Sequence, residues 1–357
     1  MDAQPRDADK RGFLRRHLAL TSLCAILLLL VGTAGSFLWY LNHELANIRH
    51  FDAGITEIPG PGGSASDAGR PLNILILGSH DTSDQESVPD DLADGSWTPG
   101  VHNCDTIIVV HLPPNRQSAQ VVSIPRDSWV KVPDYPGDVG GYAKINASFS
   151  WGGPALTVRT VQAFTGLHLD HVAMIDWNGF QGLTDVLGGV RVYVPQTFTD
   201  DVQGVTWVKG WQTLSGSRAL QYVRTRHGLA GGDFGRIERQ QNFLRAVLSS
   251  VASSGTFTNP LRLARVIGTF ADFIQVDNTW STGDLRTLGL AMRNLSSANV
   301  SFTTAPFARY DDIAGQSVVR LDRAKSATLF RELDRGDITP YLRANPGSAL
   351  PGDTAVR

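Results

Sequence analysis

Apolar residues recur along the chain in three patterns. The first is one unbroken run, residues 18–41 (LALTSLCAILLLLVGTAGSFLWYL), with 24 positions and no charge. As a helix it is ~36 Å long, enough to cross a hydrocarbon core of about 30 Å with some tilt. Trp39 and Tyr40 close it, as aromatic residues do at a membrane interface. The second pattern is a series of short β-branched runs: 72–77 (LNILIL), 106–112 (TIIVVHL), 120–124 (QVVSI), 171–176 (HVAMID) and 190–194 (VRVYV). Several are apolar at consecutive positions, which suits strands covered on both faces. The third is helical. Residues 154–165 open with Pro154 and stop at Gly166, and in 236–251 Ile237, Leu244, Val247, Leu248 and Val251 make one stripe. Further helices are expected near 259–273, 282–295 and 322–335. The alternation predicts one α/β domain with helices on both sides of a mixed sheet.

These patterns divide the chain. Residues 1–17 carry Arg6, Lys10, Arg11, Arg15 and Arg16 against Asp2, Asp7 and Asp9. That excess places the N-terminus in the cytoplasm, 18–41 across the membrane and everything later outside, a single-pass type II arrangement. The run is long for a cleaved signal peptide, and no small-x-small site follows it. Residues 42–70 end in PGPGGSASDAGR and read as a flexible stalk. Residues 71–250 hold the α/β body, 251–335 read as a helical C-terminal part packed on it, and 336–357 as a loose tail.

Composition narrows the function classes. A net charge of −2 and 42% hydrophobic residues describe a globular chain and exclude a uniformly basic nucleic-acid binder. Cys24 and Cys104 are the only cysteines, too few for a zinc knuckle, and Cys24 lies within the apolar run. Only Lys10, Lys131, Lys144, Lys209 and Lys325 are lysines, which leaves 27 arginines. A genome that favours arginine codons would produce such a bias by itself, so only particular clusters carry meaning. There is no G-x-S-x-G elbow, no H-E-x-x-H and no P-loop.

What remains are strand-end acids and arginines. Asp81 follows the first strand and Asp105 opens the second. Taken singly they read as turn and strand-leading residues; brought together they would suit Mg²⁺, which takes few protein oxygens. Arg126 and Asp127 stand at the tip of the third strand, where Pro125 breaks the ladder. If residues 222–227 (YVRTRH) are extended, Arg224 and Arg226 point to one face. Arg236, Arg239 and Gln240 share a face near the start of the 236–251 helix, where cations oppose the dipole. Four arginines partnered only by Asp233 and Glu238 repel one another unless an anion lies between them, and a pyrophosphate fits.

The strings NILILGS, CDTIIVVHL, VVSIPRDSWV, KINASFSWGG, DWNGFQGLTDVLGGVRVYVP, LSGSRALQYVRTRH and DFGRIERQQNFL occur in order over residues 71–250. Together they resemble the LytR-CpsA-Psr (LCP) family of bacterial cell-wall enzymes. The resemblance implies a three-layer α/β/α fold with a hydrophobic pocket for a polyprenyl chain. It implies a phosphotransferase that moves a glycopolymer-1-phosphate from a polyprenyl pyrophosphate carrier to a muramic acid hydroxyl of peptidoglycan. Residues matching Arg126, Arg224, Arg226, Arg236, Arg239 and Gln240 hold the pyrophosphate; Asp233 matches an acid among the arginines and Asp105 a magnesium-linked acid. The first loop departs from the usual G-S/T-D-x-R, reading Gly78-Ser79-His80-Asp81-Thr82, so either Asp81 is displaced by one residue or His80 replaces the acid. The arginine common before S-D-T is absent, since His102-Asn103-Cys104 stand there. Asp81, Asp105 and Asp127 all remain open as the group that takes the acceptor proton. Two other readings compete: a non-catalytic binder of polyprenyl phosphate or wall polymer, and a membrane-tethered transcriptional attenuator. The 17 residues before the membrane are too few for a helix-turn-helix. A pyrophosphatase side activity, with water as acceptor, is compatible with the transferase.

Overall fold

The computed structural model describes residues 36–37, 39–55, 69–81, 88–225, 232–253 and 259–356. The expected membrane segment falls largely outside these, but the expected flexible stalk needs correction: residues 42–55 are built into the body, with Arg49–Phe51 a strand of the central sheet and Leu45, Ile48, Phe51 and Ala53 buried. Among the described residues no helix is long and apolar enough to cross a membrane. Helix α1 is described over residues 39–46. The elements of the body are β1 (Arg49–Phe51), β2 (Leu72–Asp81), α2 (Val88–Asp94), β3 (His102–Leu112), β4 (Ala119–Ile124), β5 (Trp129–Val132), β6 (Gly141–Lys144) and α3 (Ile145–Thr165). They continue with β7 (His171–Ile175), α4 (Trp177–Val186), β8 (Val190–Val194), β9 (Phe198–Asp200), β10 (Val205–Trp207), β11 (Gly210–Leu214), α5 (Gly216–Arg224) and α6 (Gly232–Ser253). The last are α7 (Pro260–Phe273), β12 (Ile274–Asp277), α8 (Thr282–Ala291), β13 (Val300–Thr304), the hairpin β14 (Phe307–Ile313) and β15 (Gln316–Leu321), α9 (Arg323–Asp334) and α10 (Thr339–Ala344).

The central sheet has seven strands in the order β1-β12-β7-β2-β3-β4-β13. It is mixed: β2 pairs parallel with β7 and antiparallel with β3, and β13 runs parallel to β4. Strand alternation splits the core. Leu75 and Leu77 face α3, α9 and α10 through Phe149, Val158, Leu329, Phe330 and Tyr341. Leu72 and Ile74 face the other way, toward Leu45 of α1, Ala271 of α7 and Leu244 and Leu248 of α6. Helices therefore cover both faces, as expected for an α/β/α body. A third core lies beyond α6, where Trp207, Tyr222, Val192 and Phe243 join the small β8–β11 and β9–β10 sheets to α5. Helix α6 is a shared wall, with Leu244 and Leu248 in one core and Phe243 and Val247 in the other.

Several sequence expectations need correction. Residues 251–335 are more than a helical appendage, because β12 and β13 are strands of the central sheet. Residues 336–357 are not loose: Ile338, Tyr341 and Val356 are buried, and Thr303 Oγ1 donates to the Ser348 carbonyl at 2.8 Å. The 154–165 helix ends at a left-handed Gly166 as expected, but α3 begins earlier and kinks at Gly152-Gly153 before Pro154.

One buried polar group ties the late strand β12 to β7. Asp277 accepts from the Val172 N–H at 2.8 Å, from the Thr279 N–H at 3.0 Å, and faces His171 Nδ1 at 3.1 Å. Trp280 stacks on the His171 ring at 4.4 Å. Burial alone would raise the Asp277 carboxyl; the His171 hydrogen bond and charge, with Thr279 and Val172, outweigh it and hold the group below the usual carboxylate range. A depressed folded-state value means stability that is present above the ordinary carboxylate pKa and lost as pH falls through the folded one. Asp277→Asn is expected to cost about 2 kcal/mol at neutral pH. In thermal unfolding followed against pH, the gap to wild type should close in acid; a gap independent of pH would exclude this role for the ionised carboxylate.

Candidate active site

The site begins at a flaw in the β2–β3 ladder. Gly78 pairs with Thr106 and Ser79 with Cys104, so Asp105 is the extra residue of a bulge. Gly78 is required there, since a Cβ would sit 2.8 Å from the Thr106 Cβ. Cys104 is buried in the core, its thiol pushed up to about 12 chiefly by burial, so it is inert. Asp105 is left partly exposed beside Arg126. The same ladder extends β2 through His80 and Asp81, opposite Asn103 and His102, so Asp81 continues a strand instead of standing in a turn. The side chains of His80 and Asp81 lie outside the described residues.

Arg126 follows the end of β4. Its Nη1 donates to Asp105 Oδ1, its Nε lies 3.6 Å from Asp127 Oδ2, and Lys144 Nζ reaches Asp127 Oδ1 at 3.1 Å. Burial would lower the Arg126 pKa, but the Asp105 and Asp127 carboxylates outweigh it and raise it. Main-chain bonds fix the turn from two sides: Asn146 N–H donates to the Arg126 carbonyl at 3.1 Å and Val319 N–H to that of Asp127 at 2.8 Å.

The second group of cations comes from α5 and α6. Residues 222–224 are helical, not extended, because Ala219, Leu220, Tyr222 and Val223 supply a helical apolar face. Arg224 is thus the last residue of α5, a favourable place for a cation. Its guanidinium carbon lies 3.6 Å from the centroid of the Trp177 ring, and Trp177 is set by the Asp176 cap, which accepts from the Gly179 N–H at 2.7 Å. Arg226 falls outside the described residues. Helix α6 begins at Gly232, earlier than expected, so Asp233 occupies its first turn and the dipole conflict disappears. Asp233 Oδ1 holds Arg236 Nη2 at 2.5 Å, and Arg236 is only 2% exposed. Arg239, 1% exposed, donates from Nη2 to the Thr225 carbonyl. Burial lowers its pKa against the raising influence of Tyr222, Glu238 and Asp200.

Between the sheet, α4, α6 and α7 lies a cavity of about 680 Å³. Its walls are apolar, built from residues such as Ile76, Ile108, Ile175, Phe180, Phe243 and Phe270. Its polar lining includes Asp105, Arg224, Arg236 and Gln240. Exposed Arg224 marks the opening. Of the residues predicted for the site, these four line the cavity, while Arg126 and Asp233 are bonded neighbours one step outward and Asp127 lies one step beyond Arg126. Arg239 does not line it; its task is to fix the turn after α5. Sequence reasoning missed Trp177, Lys144, Asp200 and Gln203. The Asp176-Trp177 pair at the end of the 171–176 run was the available signal, since open α/β sheets place ligands at strand ends.

Among the described residues no three acids, histidines or cysteines gather to hold a metal by themselves. A single partly buried carboxylate at a cavity edge, beside guanidiniums, fits an ion that keeps most of its shell as water and phosphate oxygen, as Mg²⁺ does.

The model of the family described as "LytR_cpsA_psr family" matches residues 49–335. The chain belongs to this family. It is 32% identical over 297 residues to the cell wall biosynthesis protein LcpA of Corynebacterium glutamicum, covering 76% of this chain and 56% of LcpA. It is 28% identical over 269 residues to TagU of Bacillus subtilis, a polyisoprenyl-teichoic acid–peptidoglycan teichoic acid transferase, covering 74% of this chain and 81% of TagU. The crystal structure of B. subtilis TagV superposes with a TM-score of 0.59 at 25% identity, over 75% of this chain and 98% of that one. The alignments thus span little more than half of the corynebacterial relatives.

Arg239→Met keeps the packing of the stem and removes the donor to the buried Thr225 carbonyl. The expected cost is about 2 kcal/mol, read in denaturant unfolding. An unchanged midpoint would contradict its structural assignment.

Proposed function

We propose that this LCP protein attaches a glycopolymer to the cell wall. It transfers a glycopolymer-1-phosphate from a polyprenyl pyrophosphate carrier to a muramic acid hydroxyl of peptidoglycan and releases polyprenyl phosphate. The observation that carries this reading is the apolar cavity with Asp105, Arg224, Arg236 and Gln240 among its lining. A long hydrocarbon tail fills the apolar part, and a pyrophosphate joined to that tail lies against guanidiniums. The names of TagU and TagV, both polyisoprenyl-teichoic acid–peptidoglycan teichoic acid transferases, agree with it. Residues 18–41 serve as the membrane anchor that keeps the body outside the cell, where carrier and acceptor meet.

In the reaction the acceptor hydroxyl oxygen bonds to the phosphorus that bears the glycan. The bond from that phosphorus to the polyprenyl phosphate oxygen breaks, and the electron pair leaves with polyprenyl phosphate. Arg224, Arg226 and Arg236 stabilise charge on the phosphoryl oxygens, with Arg126 beside them. Asp127, held by Lys144 and Arg126, orients the hydroxyl and takes its proton. Asp105, with Asp81, would hold Mg²⁺, which when bound neutralises pyrophosphate charge.

Two outcomes are expected. Arg224→Ala lowers turnover of a polyprenyl pyrophosphate by ~10²- to 10³-fold without changing the fold, and a wild-type rate would remove Arg224 from the site. Incubation of the full chain in detergent with lipid-linked oligosaccharide, peptidoglycan fragments and Mg²⁺ should give a joined phosphodiester by mass analysis, and chelation should abolish it. Carrier that is bound and returned intact would identify a binder; free glycan phosphate alone would identify a pyrophosphatase.

A further inference from the structure

Two aromatic side chains stay exposed next to the charged site and take no part in the cavity. Phe307 is 40% exposed and Tyr310 52%, both on β14, with ring centroids 4.9 Å apart. Phe234, in the first turn of α6, supports both edge-on at 4.9 Å from Phe307 and 6.1 Å from Tyr310. Phe234 is the neighbour of Asp233, the partner of Arg236. On the other side Tyr310 pairs with Val319, and Val319 bridges to Ser128 and donates to the Asp127 carbonyl. Two chains of contact therefore lead outward from the cavity to the same patch. One runs Asp105, Arg126, Asp127, Val319, Tyr310; the other runs Arg236, Asp233, Phe234, Phe307. The phenol of Tyr310 is raised by burial and by the charges of Asp233 and Asp127, consistent with that closeness.

We propose that Phe307 and Tyr310 form a stacking platform for a pyranose ring of the acceptor glycan, across the cation cluster from the lipid cavity. The proposal rests on the transferase reading above. A hydrocarbon tail is better served by the apolar cavity than by two half-exposed rings. A pyranose is amphipathic: its C–H face packs on an aromatic ring while its hydroxyls stay at the edge, where Arg309, Asp311 and Asp312 rim the hairpin. In-line displacement supplies the direction. Polyprenyl phosphate leaves into the cavity, so the attacking oxygen arrives from the side away from it, where Asp127 and the platform lie.

The test uses the full chain in detergent with polymer-free glycan chains of peptidoglycan as the probe. Phe307→Leu/Tyr310→Leu retains apolar contact with Phe234 and removes the flat faces. It is expected to raise the Kd for the glycan by roughly tenfold, about 1.4 kcal/mol, in calorimetric titration. Phe307→Trp/Tyr310→Trp should stay within about threefold of wild type. In the transfer assay the leucine pair should raise KM for the acceptor and leave KM for the lipid-linked donor unchanged. Equal glycan affinity in wild type and the leucine pair overturns the platform, and a rise in donor KM alone overturns the acceptor assignment. Tyr310→Ser, at a half-exposed position, repeats the measurement should the pair fail to fold. Binding titration reads the platform even where wild type transfers nothing, which would count against the transferase reading only.

Discussion

Guanidinium groups gathered at one cavity repel each other, and the structure is arranged so that each is held before any anion arrives. Arg126 is held by Asp105 and Asp127, Arg236 by Asp233, Arg224 by the face of Trp177, and Arg239 by a backbone carbonyl. A planar, five-donor guanidinium can meet an acid on one edge and other partners on the rest. A ring face attracts the cation without using its donors. The cost of bringing like charges together is thus shared among three acids, an indole and a peptide dipole.

Backbone devices, more than side-chain packing, set the position of these groups. The extra residue at the β2–β3 bulge separates Cys104 in the core from Asp105 at the cavity. The carbonyls at the end of α5 are met by Gln203, Gln240 and Arg239, which locks the turn after Arg224. Helix α6 then serves two cores, and the cavity is the gap left where its two apolar faces diverge. Binding space here is a by-product of one helix having to wall two packed units.

The sequence was most readable where one residue type repeated at a fixed interval. The LNILIL and TIIVVHL runs are adjacent strands, and the stripe from Ile237 to Val251 is a helix. It was least readable where position depends on a distant partner. Strand β12 is four residues long, and no local pattern links Asp277 to His171, 106 positions away. The arginine cluster was legible as a set, because so many cations in a short span need an anion. Their separate tasks were not legible, since Arg236 and Arg239 are three residues apart and equally buried, yet only Arg236 reaches the cavity. Tyr310 and Phe307 gave no signal at all, because their place beside Asp127 comes from a hairpin contact nearly 200 residues downstream of it.

The order of strands in the central sheet also bears on how the protein is made. The middle of the sheet is complete once β7 has formed, but its flanks come from β12 and β13, near the end of the chain. Phe270 and Ile274, which close one side of the cavity, are equally late. The final clasp is later still: Arg245 of α6 donates to the Pro351 carbonyl at 2.8 Å and reaches Asp353 at 2.7 Å. A nascent chain emerging N-terminus first therefore carries its paired arginines and acids for some time without an enclosed cavity. Until residues 351–353 are made, the helix that divides the two cores stays unclasped. The parts of this architecture that wall the cavity are thus the parts of the body made late.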